Sequence, residues 1–430
     1  MKNRRQFLTT AGITVSGLSL ASKRGVAWVV DMAQNLPASP EIAARDEVFW
    51  AAFRQAFTPD PGHKWFNCLA YNPTASSVHE EFIRREKTWN AWPLATANKV
   101  FSSEKQEMLR SRLATLANAS ADEIALTRNT TESICNVIFG LDLAKGDEVV
   151  LTNQDYWTFQ NAWTQRERRD GIVVRRIAPP IPAKTLENLT EAFRAAITPR
   201  TRVVMFSHLS DPIGQSFPAR AIADIAHRAG AQVIVDGALT FGCMPVDVKS
   251  MDCDYYGTSL HKGIFAPTGT GFLYVRRDRI RSLWPLYGSP AAEADDIRKF
   301  ENRGTSPLTA FATVNDALDV HGAIGAERMA ARYRYLKRLW ADRIAAHPRC
   351  QFRARLEPEH SCGITNLAID GVDTVKLYHY LYDERGISAW PIRDPEFAGL
   401  WLCPYPFSTP AELDALASAV LEVADKGLPA

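Results

Sequence analysis

Apolar residues along this chain follow two alternating rhythms. Short runs such as Val233-Ile234-Val235 and Phe272-Leu273-Tyr274-Val275 are apolar at every position. Strands buried on both faces read this way. Such runs predict strands at 123–127, 148–152, 172–177, 202–207, 232–236, 253–257 and 271–275. Most are separated by stretches of helical spacing, and that alternation predicts a doubly wound, mostly parallel α/β sheet. Upstream, the spacing of Val48, Phe49, Ala52, Phe53 and Phe57 predicts a helix over 40–57, closed by the turn Pro59-Asp60-Pro61-Gly62. A helical crossover is expected over 74–95, ending near Pro93. An amphipathic helix follows over 103–117, with Met108, Leu109, Leu113 and Leu116 on one face. Downstream, 308–345 reads as helix and bridges to a small α+β region at about 346–430. That region has a strand at 363–369, a helix at 373–384 and a last helix from Pro410.

At 430 residues the chain is long enough for two cores. Apolar residues at 46% and charged residues at 23% are ordinary for a globular enzyme. A net charge of +2 gives no basic field for a nucleic-acid partner. The seven cysteines, at 68, 135, 243, 253, 350, 362 and 403, form no CxxC pair and no metal-ligand spacing, so they are expected as buried small hydrophobes and no metal is expected. The N-terminus changes the picture. Arg4-Arg5-Gln6-Phe7-Leu8 precedes a weakly apolar run over 11–21 that is too short and too rich in Gly, Ser and Thr to span a bilayer. This pattern resembles a twin-arginine export signal, read by the Tat translocase, and predicts a periplasmic protein.

The candidate chemistry lies at strand ends. Thr258-Ser259-Leu260-His261-Lys262-Gly263 is followed by a Gly-rich turn and the apolar strand at 271–275. A Ser-x-His-Lys step of this kind presents a lysine amine to pyridoxal phosphate (PLP) as its covalent attachment point. Upstream, Asp236 ends the apolar strand at 232–236, where α/β sheets place ligand-contacting groups. An acid there can pair with the pyridinium nitrogen and keep the ring an electron sink. Thr130 and Thr131 open a helix after the strand at 123–127. A helix N-terminus with two hydroxyls can take a phosphate dianion, or Thr130 can simply cap the helix.

On these residues the chain resembles the fold-type I PLP enzymes of the class V aminotransferase family, closest in layout to isopenicillin N epimerase-like proteins and cysteine desulfurases. The resemblance runs from about residue 60 to the C-terminus. It implies a large domain with a mostly parallel seven-stranded sheet, a smaller C-terminal α+β domain, and a homodimer with its sites at the interface. The expected division is a leader at 1–27, an N-terminal segment at 28–75, a PLP-binding domain at 76–330 and a small domain at 331–430. The resemblance also implies that Thr130, Thr131, Ser259 and His261 hold the cofactor phosphate, and that Thr305 reaches it from the partner subunit. Tyr156 matches the aromatic that stacks on the pyridine ring, with Trp157 as competitor.

Several positions depart from the family pattern. Asp211 stands where an Asn is usual in the turn Ser210-Asp211-Pro212-Ile213-Gly214, and Leu239 stands where a Gln or His bonds the cofactor's phenolate oxygen. Trp401 occupies the place of the arginine that binds a substrate α-carboxylate in desulfurases, an exchange that is not conservative. The loop with the desulfurase nucleophile is replaced by Ala389-Trp390-Pro391-Ile392-Arg393-Asp394, in which Arg393 either takes the carboxylate or is a solvated charge. Desulfuration is therefore not expected. Substrate-contact candidates are Trp390, Arg393 and Trp401. The leader and body together resemble the periplasmic enzymes of pyoverdine maturation. That implies a siderophore-precursor substrate whose glutamate side chain is oxidatively decarboxylated to an amide with dioxygen. Two alternatives stand beside it: a conventional aminotransferase or epimerase of small amino acids, and a non-catalytic binding protein of the same fold.

Overall fold

The structure is a computed structural model and describes residues 26–429. The arginine pair of the leader lies outside the described residues. Seven strands form one sheet: β1 (Ile124–Thr127), β2 (Glu148–Thr152), β3 (Val173–Ile177), β4 (Thr201–Ser207), β5 (Gln232–Asp236), β6 (Tyr255–Ser259) and β7 (Gly271–Val275). Their order is β1-β7-β6-β5-β4-β2-β3, and only the two ladders made by β7 are antiparallel. The inner strands are largely apolar because both faces are covered, whereas the edge strand β3 carries Arg175 and Arg176 and is mostly open. Val150, Val204, Val233 and Val235 feed one core, while Val149, Leu151, Val203 and Ile234 feed another. Each such side chain contributes about 1.5–3 kcal/mol when fully buried.

A second sheet of four antiparallel strands, in the order β10-β11-β9-β8, belongs to the C-terminal region: β8 (Cys350–Phe352), β9 (Thr365–Ile369), β10 (Trp390–Ile392) and β11 (Gly399–Leu402). It packs with Leu336, Trp340, Leu413, Leu416 and Val420 in a third core. Lys64–Trp65 pairs in parallel with Ile387–Ser388, so the N-terminal segment is stitched to this region.

Several sequence expectations need correction. The helix expected over 40–57 is two, Pro40–Ala43 and Glu47–Arg54, because Asp46 caps a new start by accepting the Phe49 N–H at 3.0 Å. Val48 is exposed and Trp50 takes its place in the core. The crossover ends at Ala91, and Pro93 begins another helix, Pro93–Val100, at the position where its missing N–H costs nothing. In the helix Ser103–Ala117, Met108 and Leu116 face outward, and the buried face is Leu109, Leu113, Ala114 and Ala117. Arg110 is buried with them, bonded to the Ile124 carbonyl and to Glu301. The helical stretch at 308–345 is broken at Gly325, whose φ of +88° suits glycine and separates Leu308–Ile324 from Ala326–Ile344. All seven cysteines are free, and six are buried. Among the described residues, no helix is long and apolar enough to cross a membrane.

Candidate active site

The strand ends converge at one edge of the sheet. β4, β5 and β6 run parallel and finish side by side at Ser207, Asp236 and Ser259. β7 runs the other way and starts at the same edge, with Gly271 opposite Ser259. A side chain at Gly271 would meet the Thr258 carbonyl at 2.5 Å and Asn129 Cα at 2.9 Å, so the close approach there requires glycine.

Asn129, rather than Thr130, caps the helix Thr130–Gly140, its Oδ1 accepting the Glu132 N–H at 2.9 Å. That leaves the Thr130 hydroxyl free to meet Ser259 Oγ at 2.7 Å, while the Thr130 N–H donates to the same oxygen at 2.9 Å. Thr131 follows, half-buried in the first helical turn. A helix start with hydroxyls and unspent amides is an anion site in the making. His261 adds a buried Nδ1 with no partner, and Ser210 Oγ is likewise buried and unpartnered. Burial, and then the charge of Lys262, hold the His261 imidazole below its ordinary value, which favours the neutral ring.

Asp236 is buried with both oxygens engaged. Oδ1 accepts the Ala238 N–H at 2.9 Å, and Oδ2 accepts the Ser207 hydroxyl at 3.2 Å. Burial pushes its carboxyl up to about 6, against the pull of the Lys262 charge. Asp211 is also pushed up by burial and pulled down by Lys262. The Lys262 ammonium therefore lies within the field of both acids, and it makes no hydrogen bond of its own among the described residues. Leu239 is buried in the core and offers no donor.

Tyr156 is half-buried and precedes the helix Trp157–Asp170, its ring 5.6 Å from those of Trp157 and Phe159. Trp157 is 62% exposed, so of the two rings Tyr156 is the one set into the fold. Thr305 is exposed on the loop before Leu308–Ile324 and makes no hydrogen bond to the Thr130–Ser259 pair. Trp401 is 4% exposed, and its indole N–H donates to the Asp211 carbonyl at 2.9 Å. Tyr405 is equally buried, its hydroxyl donating to the Tyr71 carbonyl at 2.5 Å. Neither ring offers a face for stacking. Trp390 does, at 47% exposed, and Arg393 is exposed with no ion pair among the described residues.

Three site residues were not singled out by sequence. Asn72 donates to the Lys262 carbonyl at 2.7 Å and accepts the Leu69 N–H at 2.7 Å. Leu69 and Phe265 hold left-handed backbone at φ +72° and +58°, and this strain flanks the lysine loop. Asp155 and Ser207 lie beside Asp236, buried. The only signals in the sequence were an Asn-Pro turn at 72–73 and two polar residues at strand ends.

These residues fit PLP. The hydroxyl-rich helix start and the unpartnered His261 suit a phosphate, the buried Asp236 a ring nitrogen, and the free amine of Lys262 an aldehyde. Comparison with known proteins agrees. Residues 88–389 match the family "Aminotransferase class-V". The chain is 29% identical to the isopenicillin N epimerase of Amycolatopsis lactamdurans over 87% of this chain and 98% of that one. It is 33% identical to a cysteine desulfurase of Haloferax volcanii over 53% of this chain and 55% of that one. The fold matches a cysteine desulfurase of Escherichia coli with a TM-score of 0.74 at 22% identity, covering 87% of this chain and 98% of that one. The fold, its strand-end site and the family match converge: this chain belongs to the class V aminotransferases and is a PLP-dependent enzyme.

Proposed function

We propose that this enzyme acts on an amino-acid group carried by a larger molecule rather than on a free small amino acid. The fate of position 401 carries this reading. In place of an arginine for the α-carboxylate stands an indole already committed to the Asp211 carbonyl. An arginine–carboxylate pair contributes roughly 1.5–3 kcal/mol, so a small substrate lacking it loses about ten- to a hundredfold in affinity. Remote contacts must supply the difference. Trp390 lies directly across the ladder from Trp401 and therefore on the same face. Its ring is 6.1 Å from that of Tyr71, which is 70% exposed and next to Asn72. These two open rings, with the exposed Arg393 just past β10, are the groups we assign to a planar, anionic part of a substrate.

In this reading Thr130, Thr131, Ser259 and His261 bind the cofactor phosphate, Tyr156 covers one ring face and Asp236 holds the pyridine nitrogen. Asp211, whose carboxyl burial pushes up, would be the polar group facing the cofactor oxygen that Leu239 cannot reach with a donor. Thr305 serves the site of a partner copy, which makes the enzyme a homodimer. Bound there, PLP supplies an electron sink for the pair released when a bond at the substrate's Cα breaks. Lys262 Nζ takes or returns the proton at Cα.

The specific reaction we favour is oxidative decarboxylation of a siderophore (pyoverdine) glutamate side chain in the periplasm. It balances with dioxygen as oxidant: R–CH(NH2)–COOH and O2 give R–CO–NH2, CO2 and H2O. The match to an isopenicillin N epimerase along nearly its whole length supports a second reading, epimerisation or transamination of a small amino acid. A non-catalytic role is disfavoured by the retention of Lys262, Asp236 and the threonine pair. The test is to titrate the visible band of the PLP-loaded enzyme with free glutamate, cysteine and alanine and with the siderophore precursor. Only the precursor should shift the band at low concentration, and Trp390→Ala should weaken that shift. If free amino acids shift it as well, the tethered-substrate reading fails and the second reading stands.

A further inference from the structure

β2 and β4 pair from Glu148–Thr201 to Val150–Val204, with a one-residue shift of register after Glu148, and their ladder stops there. One side chain bridges the ends of the two strands. Asp155 Oδ2 accepts the Thr152 N–H at 2.7 Å and the Thr152 hydroxyl at 3.0 Å, while Oδ1 accepts the Ser207 N–H at 2.6 Å. The carboxylate is 3% exposed. It thus joins the last residues of two strands where their own ladder has stopped. Ser207, gripped by its amide, turns its hydroxyl to Asp236 Oδ2 at 3.2 Å. The Ala238 N–H holds the other Asp236 oxygen, so these two donors set the plane of that carboxylate.

We propose that Asp155 is a positioning residue for the cofactor: it fixes Ser207, and through Ser207 it fixes the orientation of the Asp236 carboxylate against the pyridine nitrogen. This rests on the assignment of Asp236 to that nitrogen. The physical basis is that a carboxylate free to rotate holds a ring N–H in many poses, whereas one pinned at both oxygens holds it in one. Asp155→Asn keeps the size of the side chain but sets an amide N–H2 or a weaker carbonyl against donors that now meet a carboxylate.

The experiment compares Asp155→Asn, Ser207→Ala and the double variant in the full chain. Three readouts are needed: the dissociation constant of PLP, the visible circular dichroism of the bound cofactor and the urea stability of the apo protein. Each single variant should weaken PLP binding roughly tenfold, the scale of one hydrogen bond to a charged group. Each should also reduce the dichroism, which reports ring orientation. The double variant should be no worse than the weaker single one, because both act along one chain of contacts. Multiplicative losses would overturn the proposal, since Asp155 would then act independently of Ser207. So would an Asp155→Asn protein of lowered apo stability whose PLP affinity and dichroism match the wild type, which marks a purely structural role. If Asp155→Asn does not fold, Thr152→Ala replaces it, removing one donor from the same carboxylate with the same expectation. A wild-type protein that binds no PLP would instead refute the cofactor assignment itself.

Discussion

Asn72 is the residue whose removal is the most direct probe of how the lysine loop is held. Its amide joins two chain segments: Nδ2 donates to the Lys262 carbonyl, and Oδ1 accepts the Leu69 N–H, both at 2.7 Å. Leu69 sits at φ +72°, a conformation that costs an L-residue about 1–3 kcal/mol and must be compensated by its surroundings. Two neutral hydrogen bonds contribute about 1–3 kcal/mol net, and leaving a part-buried donor and acceptor unmet moves the loss toward the upper end. Asn72→Ala should therefore destabilise the apo protein by about 2–3 kcal/mol. Asn72→Asp keeps the acceptor for Leu69 but sets a negative charge against the Lys262 carbonyl. It should cost about 1–2 kcal/mol in stability while weakening cofactor affinity more than Asn72→Ala does. Urea denaturation of the apo protein and equilibrium titration with PLP measure the two effects separately. If Asn72→Ala stays within about 0.5 kcal/mol of wild type in both, the bridge carries no energy and the strain at Leu69 is compensated elsewhere.

Borohydride reduction followed by peptide mapping should place a single pyridoxyl group on Lys262, and Lys262→Ala should abolish the label while the apo protein still folds. Glu148 is buried, and its hydrogen bonds with Arg175, then Thr198 and Arg200, draw its carboxyl down to about 2 from an ordinary 4.5. A folded value below the unfolded one gives stabilisation that is full above about pH 4.5 and fades as the pH falls toward 2, so Glu148→Gln should flatten the acid limb of the stability curve. Equal acid slopes for Glu148→Gln and wild type would refute this. Replacing Arg4 and Arg5 by lysine should hold the folded, PLP-loaded enzyme in the cytoplasm, and cell fractionation would expose an error if periplasmic recovery is unchanged.

The seven strands of the large sheet were legible to within two residues, the inner ones because a strand buried on both faces leaves an apolar run, while the edge strand β3 shows only Val173-Val174 and Ile177 around two arginines. The short strands β8, β10 and β11 were not, since three or four residues show no period and β10 carries Pro391. The phase of a helix face was misread where a buried ion pair intruded: Arg110 occupies core space beside Leu109 and Leu113, while Met108 faces outward. Lys262, Asp236 and Thr130 could be found because each sits in a local pattern tied to a strand or helix end. Asn72 and Asp155 could not, because their value lies in contacts made across the chain and nothing beside them in sequence announces it.

The placement of β7 has a consequence for how the protein comes into being. β1 pairs with β7 alone, and β7 in turn separates it from the rest of the sheet. The helix Thr130–Gly140 is tied to the same late strand, with Ser133 Oγ donating to the Phe272 carbonyl at 2.9 Å. During synthesis the strand at 124–127 and its helix must wait, without their partner, until residues 271–275 have left the ribosome. Closure of such distant pairings is slow and exposes an unmatched strand edge in the meantime. Neither the Thr130 helix start nor the Lys262 loop can be finished early. Lys262 emerges just ahead of the strand that completes the sheet, so the last segment to join the large sheet is also the one that positions this lysine.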